Sequence, residues 1–335
     1  MSMNAPMTPT TKQRARLVDA CLCFALMTTT ISSAAEGWQR MPDLPEPNGG
    51  MICYAVGEDI IVAGGTNWEN DTKQWLVKRW RFDARAKAWK PLPPLSAPLA
   101  YAAGGGFFTA GGSDGQKSSD SILEWKADRL PRQLGRLPQP VTLAGAAFAS
   151  SRLFVIGGAA DIADFSTVTA HCFEWRSGSK EVQSLPNYPS GPTALVAVAA
   201  TKTRVFAFTG ATWEAAGKQV VNRSAAFALD LATQAWKPIS PYPFAARGVT
   251  AVALDDKRIF LAGGFKSAEE GFTDESFIYD IASDRYAPGV RLPIRSMVHL
   301  VKTREWLWAL GGEDRQKHRS AACWRIRLGE LLPAR

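Results

Sequence analysis

Six hydrophobic runs that each end in a pair of small residues decide the fold: Ile60-Ile61-Val62-Ala63-Gly64-Gly65, Phe107-Phe108-Thr109-Ala110-Gly111-Gly112, Leu153-Phe154-Val155-Ile156-Gly157-Gly158, Val205-Phe206-Ala207-Phe208-Thr209-Gly210, Ile259-Phe260-Leu261-Ala262-Gly263-Gly264 and Leu307-Trp308-Ala309-Leu310-Gly311-Gly312. The pairs recur at spacings of 47, 46, 52, 54 and 48 residues. A polar loop follows each pair, and then an aromatic strand: Trp80–Asp83, Ile122–Trp125, Cys172–Trp175, Phe227–Asp230, Phe277–Asp280 and Cys323–Ile326. A further aromatic and a proline-rich turn come next, as in Trp89-Lys90-Pro91-Leu92-Pro93-Pro94-Leu95 and Trp236-Lys237-Pro238-Ile239-Ser240-Pro241. A small sheet of this size cannot bury both faces alone, so the copies must stack around an axis. The expectation is an all-β, six-bladed β-propeller of about 50 residues per blade.

The last copy runs out after Trp324-Arg325-Ile326-Arg327, whereas an unmatched copy of the trailing strand, Trp38 to Pro45, stands near the start. The N-terminal strand is therefore expected to close the ring as the outer strand of the last blade, which removes two open sheet edges. The double glycines read as scaffold, since residues without a Cβ let blades approach and adopt turn dihedrals closed to others.

Among 335 residues, 28 Gly, 21 Pro and 12 Trp suit short strands between tight turns, and the sequence excludes a coiled coil or a collagen-like fibre. Residues 1–35 have the layout of an export signal: Lys12, Arg14 and Arg16, an apolar run from Ala20 to Met27, then small residues to Ser33-Ala34-Ala35. Cleavage after Ala35 would leave one propeller domain, 36–335, in a periplasmic or secreted location. The net charge of +8 then loses the +2 carried by those residues and falls to +6. No charge block resembles a nucleic-acid arm and no run is apolar enough to span a bilayer, so neither partner is expected. Cys53, Cys172 and Cys323 remain, an odd number that argues against a disulfide framework.

Strands of a blade alternate in direction, so the loops after the double glycines and those leading into each inner strand emerge on one face. That face holds Asn67, Glu313 and Arg319 from the first set, and Asn48, Tyr101, Arg247 and Arg295 from the second. His299, between apolar neighbours, reads as a strand residue.

The repeats resemble the kelch repeat over residues 37–328, with its double glycine, aromatic strand and trailing Trp. Two segments, Gly64-Gly65-Thr66-Asn67-Trp68 and Gly312-Glu313 with Arg319-Ser320, resemble a narrower group, the circularly permuted N-acetylneuraminate epimerases (sialic acid mutarotases). The resemblance implies a secreted, six-bladed mutarotase in which Glu313 is the catalytic carboxylate, Arg319 the matching Arg, and Asn67 the Asn after the double glycine. The chain departs from that pattern at Gln316-Lys317, where the group has Pro-Gly, and at Trp68-Glu69, where it has Phe-Pro. The residue types suit the chemistry. Interconverting anomers of a 2-keto acid sugar takes a proton from the anomeric hydroxyl and delivers one to the ring oxygen, work for a single carboxylate. The substrate carboxylate calls for a guanidinium, from Arg319, Arg295 or Arg247. No cofactor or metal is expected.

The alternative is a propeller that binds a protein or glycan through its rim loops without chemistry, because this architecture hosts many functions. A copper radical oxidase site would need converging histidines, and His171, His299 and His318 fall at unrelated repeat positions.

Overall fold

The structure is a computed structural model and describes residues 37–331. The proposed export signal lies outside the described residues. The chain folds as an all-β, six-bladed β-propeller. From the inner strand outward, blade 1 is Ile52–Val56, Asp59–Ala63, Arg79–Asp83 and Ala88–Leu92. Blade 2 is Ala103–Gly105, Phe108–Ala110, Ser121–Lys126 and Arg129–Arg136. Blade 3 is Gly145–Ala149, Arg152–Ile156, Cys172–Arg176 and Val182–Leu185. Blade 4 is Ala197–Ala200, Arg204–Phe208, Ala226–Asp230 and Trp236–Ile239. Blade 5 is Thr250–Ala253, Arg258–Ala262, Ser276–Asp280 and Arg285–Pro288. Blade 6 is Met297–Lys302, Trp306–Arg315, Cys323–Arg327 and, from the other end of the described chain, Gln39–Met41. That last strand pairs antiparallel with the third, Gln39 opposite Arg325 and Met41 opposite Cys323.

Composition explains the placement of each strand. Inner strands converge on the axis and are built largely from Ala, Gly and Val, as in Ala197–Ala200. Second strands lie mid-blade with neighbours on both sides, so they are continuously apolar: Ile60 to Ala63 and Leu307 to Leu310 are at most 1% exposed. Six clusters of buried side chains fill the six gaps between blades. The gap between blades 6 and 1, for example, holds Met41, Leu44, Ile60, Phe82, Trp308 and Cys323. Burying side chains of this size contributes about 1.5–3 kcal/mol each. Cys172, between blades 3 and 4, and Cys323, between blades 6 and 1, pack as small apolar groups, and burial pushes both thiols up to about 12.

The double glycines lock blade to blade. The second residue of each pair donates its N–H to a carbonyl just ahead of the next inner strand: Gly65 to Leu99, Gly112 to Val141, Gly158 to Thr193, Gly210 to Ala246, Gly264 to Ser296 and Gly312 to Asn48, all at 2.8–3.0 Å. The first residue presses on the same segment. A Cβ on Gly111, which stands at φ +70°, would fall 2.0 Å from the Val141 carbonyl oxygen, closer than any side chain tolerates. Blade 4 places Thr209 there instead, at φ 56°. In blade 6 the strand does not stop at its double glycine but runs on to Arg315, and its extension pairs with His318–Arg319.

Candidate active site at the channel mouth

The inner strands enclose a channel with a volume of about 900 Å³, walled mainly by small apolar residues. At its mouth the lead-in residues Gly50, Tyr101, Leu143, Leu195 and Gly248 share a left-handed backbone, φ 56–66°. They are linked in sequence: Tyr101 N–H donates to Gly50 O, Leu143 to Tyr101 O, Leu195 to Leu143 O and Gly248 to Leu195 O, at 2.7–3.3 Å. The non-glycine members carry about 1–2 kcal/mol of backbone strain each, a cost that neighbouring structure must offset. The series breaks at blade 6. Gly50 N–H donates not to a backbone carbonyl but to His299 Nε2, at 3.1 Å.

Glu313 and Arg319 sit beside this break. They face each other across the extended hairpin of blade 6, and Glu313 also pairs with Met297 at the start of the inner strand. Arg319 Nη1 lies 2.5 Å from Glu313 Oε2. The two partners differ in exposure: the Arg319 side chain is 4% exposed and that of Glu313 is 32% exposed. Arg319 is also fixed on its other edges, Nη2 donating to the Tyr101 hydroxyl at 3.1 Å and Nε to Thr66 Oγ1 at 3.4 Å. Thr66 and Tyr101 touch each other, at 2.9 Å. A buried guanidinium with three sets of partners is a rigid support, and the carboxylate it holds is open to the channel. Glu313, Arg319, Tyr101 and His299 all line that channel.

Arg247 is drawn in electrostatically. Burial pulls its pKa down and the Glu313 carboxylate acts in the opposite sense. Its Nη1 donates to Asn222 Oδ1 at 3.0 Å, and its guanidinium lies 4.3 Å from the Phe265 ring centre. Arg295 is placed elsewhere: its side chain is 68% exposed and its nearest acid is Asp274, at 3.8 Å. Asn67 occupies the strand Thr66–Glu69, and by strand alternation lies on the face opposite Thr66, the residue that touches Arg319. The other face gathers Trp68, Lys73 and Trp75 around Tyr101, with Lys73 Nζ 5.3–5.9 Å from the three rings. Asn48 serves the scaffold, its amide donating to Gly64 O at 2.8 Å.

Sequence reasoning did not single out Thr66 or Gly49, and it assigned His299 to a strand without a role. A signal for Gly49 was present. Its neighbour pair Gly49-Gly50 is the one lead-in with two consecutive glycines. The histidines do not converge: His171 Nδ1 meets Gln139 at 2.7 Å, His299 meets Gly50, and His318 meets Asp314. Among the described residues no helix is long and apolar enough to cross a membrane.

The fold and site thus define a six-bladed propeller with a carboxylate held by a buried arginine at its channel mouth. Part of the chain is similar to proteins named N-acetylneuraminate epimerase from Brucella suis and Brucella melitensis, each 36% identical over 128 aligned positions. The match takes in 30% of this chain and spans about a third (33%) of the length of those relatives. A leucine-zipper-like transcriptional regulator 1 homolog of Drosophila melanogaster is 24% identical over 287 positions, 76% of this chain and 28% of that protein. No family profile matches the chain.

Proposed function

We propose that the protein is an exported mutarotase that interconverts the α and β anomers of N-acetylneuraminate or a related acidic sugar. One observation carries this: Glu313, partly open to the channel, is held at 2.5 Å by the buried Arg319. A fixed carboxylate facing a cavity accepts the proton of the anomeric hydroxyl and returns it to the ring oxygen as the ring opens, then runs the reverse after rotation about the exposed carbonyl. Arg319 keeps that carboxylate in one orientation, with partners that leave its plane no freedom to turn. Arg247, anchored on Asn222 and Phe265, supplies the cation for the sugar's own carboxylate, since Arg319 is already paired. The partial similarity to proteins named N-acetylneuraminate epimerase supports the same substrate class.

The test is anomerisation of freshly dissolved N-acetylneuraminate followed by proton NMR. Wild-type protein should shorten the equilibration, and Glu313→Ala should return it to the rate without protein. A wild-type rate equal to the blank rejects the enzyme and leaves a binding propeller, which saturation-transfer NMR with the same sugar would then reveal.

A further inference from the structure

Five of the six lead-in segments are joined around the channel mouth by backbone hydrogen bonds, and at the sixth a side chain stands in for the backbone. We propose that His299 is a positioning residue for the Glu313–Arg319 pair, holding the Gly49-Gly50 lead-in beneath the Arg319 side chain. Its effect on geometry stands on contacts alone. Its effect on turnover rests on the mutarotase reading above.

The path is short. Gly50 N–H donates to His299 Nε2, at 3.1 Å. Gly50 O in turn accepts from Tyr101 N–H, at 2.8 Å, and the Tyr101 hydroxyl accepts from Arg319 Nη2. Gly49 exchanges both of its backbone bonds with Thr66, at 2.8–3.0 Å, and Thr66 Oγ1 accepts from Arg319 Nε. Arg319 itself lies over Gly49, where a Cβ would come within 2.5 Å of its Cδ and 2.7 Å of its Nε. Gly49 and Gly50 therefore sit beneath every contact that fixes the guanidinium outside its own hairpin. Among the described residues His299 is the partner of the Gly50 N–H.

The role demands a neutral ring. An imidazole that accepts through Nε2 carries its proton on Nδ1, and the imidazolium has no lone pair to offer. The surroundings favour that state: burial and then the Arg319 charge disfavour the cation, and the pKa is pushed down to about 4. The charged and titratable groups at this end of the channel are Arg319 with its partner Glu313 from blade 6, Tyr101 from blade 2, Arg247 at the lead-in to blade 5, which feels the Glu313 charge, and the Cys53 thiol of blade 1, which burial pushes up. The inner strands of blades 1 and 5, Ile52–Val56 and Thr250–Ala253, bring no charged side chain.

The experiment uses the full chain, labelled with nitrogen-15, and two variants. His299→Leu fills the site without an acceptor, and His299→Gln offers a carboxamide oxygen. Exchange of the Gly50 amide proton should be at least about tenfold faster in the leucine variant, as expected for one lost hydrogen bond. The Arg319 Nε–H signal should broaden in the same variant, and both should recover in His299→Gln. Gly50 and Arg319 signals that stay unmoved in His299→Leu, or that glutamine fails to restore, overturn the proposal. Should His299→Leu not fold, wild-type protein decides: the Gly50 amide shift must follow the imidazole's titration with the same midpoint, and independent titration overturns it. With N-acetylneuraminate, kcat/KM should fall about tenfold in His299→Leu and recover in His299→Gln. If wild-type protein lacks activity, the mutarotase reading fails while the NMR measurements still decide the role of His299.

Discussion

Arg319 lies across the α-carbon of Gly49, so close that a single methyl group there would displace it. Gly49 does not require a left-handed backbone, so alanine is tolerated by the main chain and the substitution isolates the contact. Gly49→Ala should leave the far-ultraviolet circular dichroism spectrum unchanged while slowing anomerisation roughly 10–100-fold, the scale expected when a positioned group moves by about 1 Å. A wild-type rate in this variant would show that the place of Arg319 does not matter.

Arg319→Lys keeps the charge and loses the fork. An ammonium can remain with Glu313, but it cannot also reach Tyr101 and Thr66 in the plane the guanidinium occupies. Stability should fall by about 1–3 kcal/mol through the hydroxyls left without their donor, and catalysis should fall with it. Urea unfolding measures the first and NMR anomerisation the second. A variant as active as wild type would reduce Arg319 to a counter-charge.

Stability should decline as the solution is acidified, in a window set by His299. Its ring is pushed down to about 4 in the folded protein, from 6.5. The unfolded chain therefore binds the extra proton first. The contribution is fully present above about pH 6.5 and is lost as the pH falls towards 4, up to about 2–3 kcal/mol in all. Unfolding midpoints measured from pH 7 to pH 4 should fall more steeply for wild type than for His299→Gln. Parallel curves would mean that the ring is not kept neutral by its site.

Thr209→Gly should stabilise the protein. Thr209 holds the position that glycine holds in the other five blades, at φ 56°, fully buried, with its hydroxyl lacking a partner among the described residues. Relief of left-handed strain and of a buried unpaired hydroxyl outweighs the extra freedom of glycine in the unfolded chain, for a gain of roughly 1 kcal/mol. A lower urea midpoint would show that the threonine methyl fills space the blade needs.

The fold was legible because its determinants are local and repeated. Each third strand starts and ends within one residue of its aromatic run, as with Phe277–Asp280 against Ser276–Asp280, since apolar side chains interspersed with polar ones mark a partly buried strand. The site was legible only in part. Glu313 and Arg319 stand on one hairpin, so their pairing follows from short-range register. Arg295 and Arg247 both precede an inner strand but not at the same place: Arg247 bridges Phe265 as Met297 pairs with Glu313, so Arg295 stands two residues earlier and turns out to Asp274 while Arg247 turns to Asn222, a difference of register that the sequence alone left unread. His299 reads from the sequence as a strand residue, which it is in Met297–Lys302, but its contact with Gly50 depends on a missing link in a ring, visible only once all six blades are assembled.

Blade 6 is the one sheet assembled from both ends of the chain, and it is also the sheet that carries Glu313 and Arg319. During synthesis, five blades have all their strands before the last residues of the sixth are made. The candidate site therefore comes into being last, when the strand at Gln39–Met41 meets Cys323–Arg327. A chain lacking either Gln39–Met41 or Cys323–Arg327 holds five blades with a sixth left incomplete, so the integrity of the Glu313–Arg319 pair reports whether blade 6 has closed.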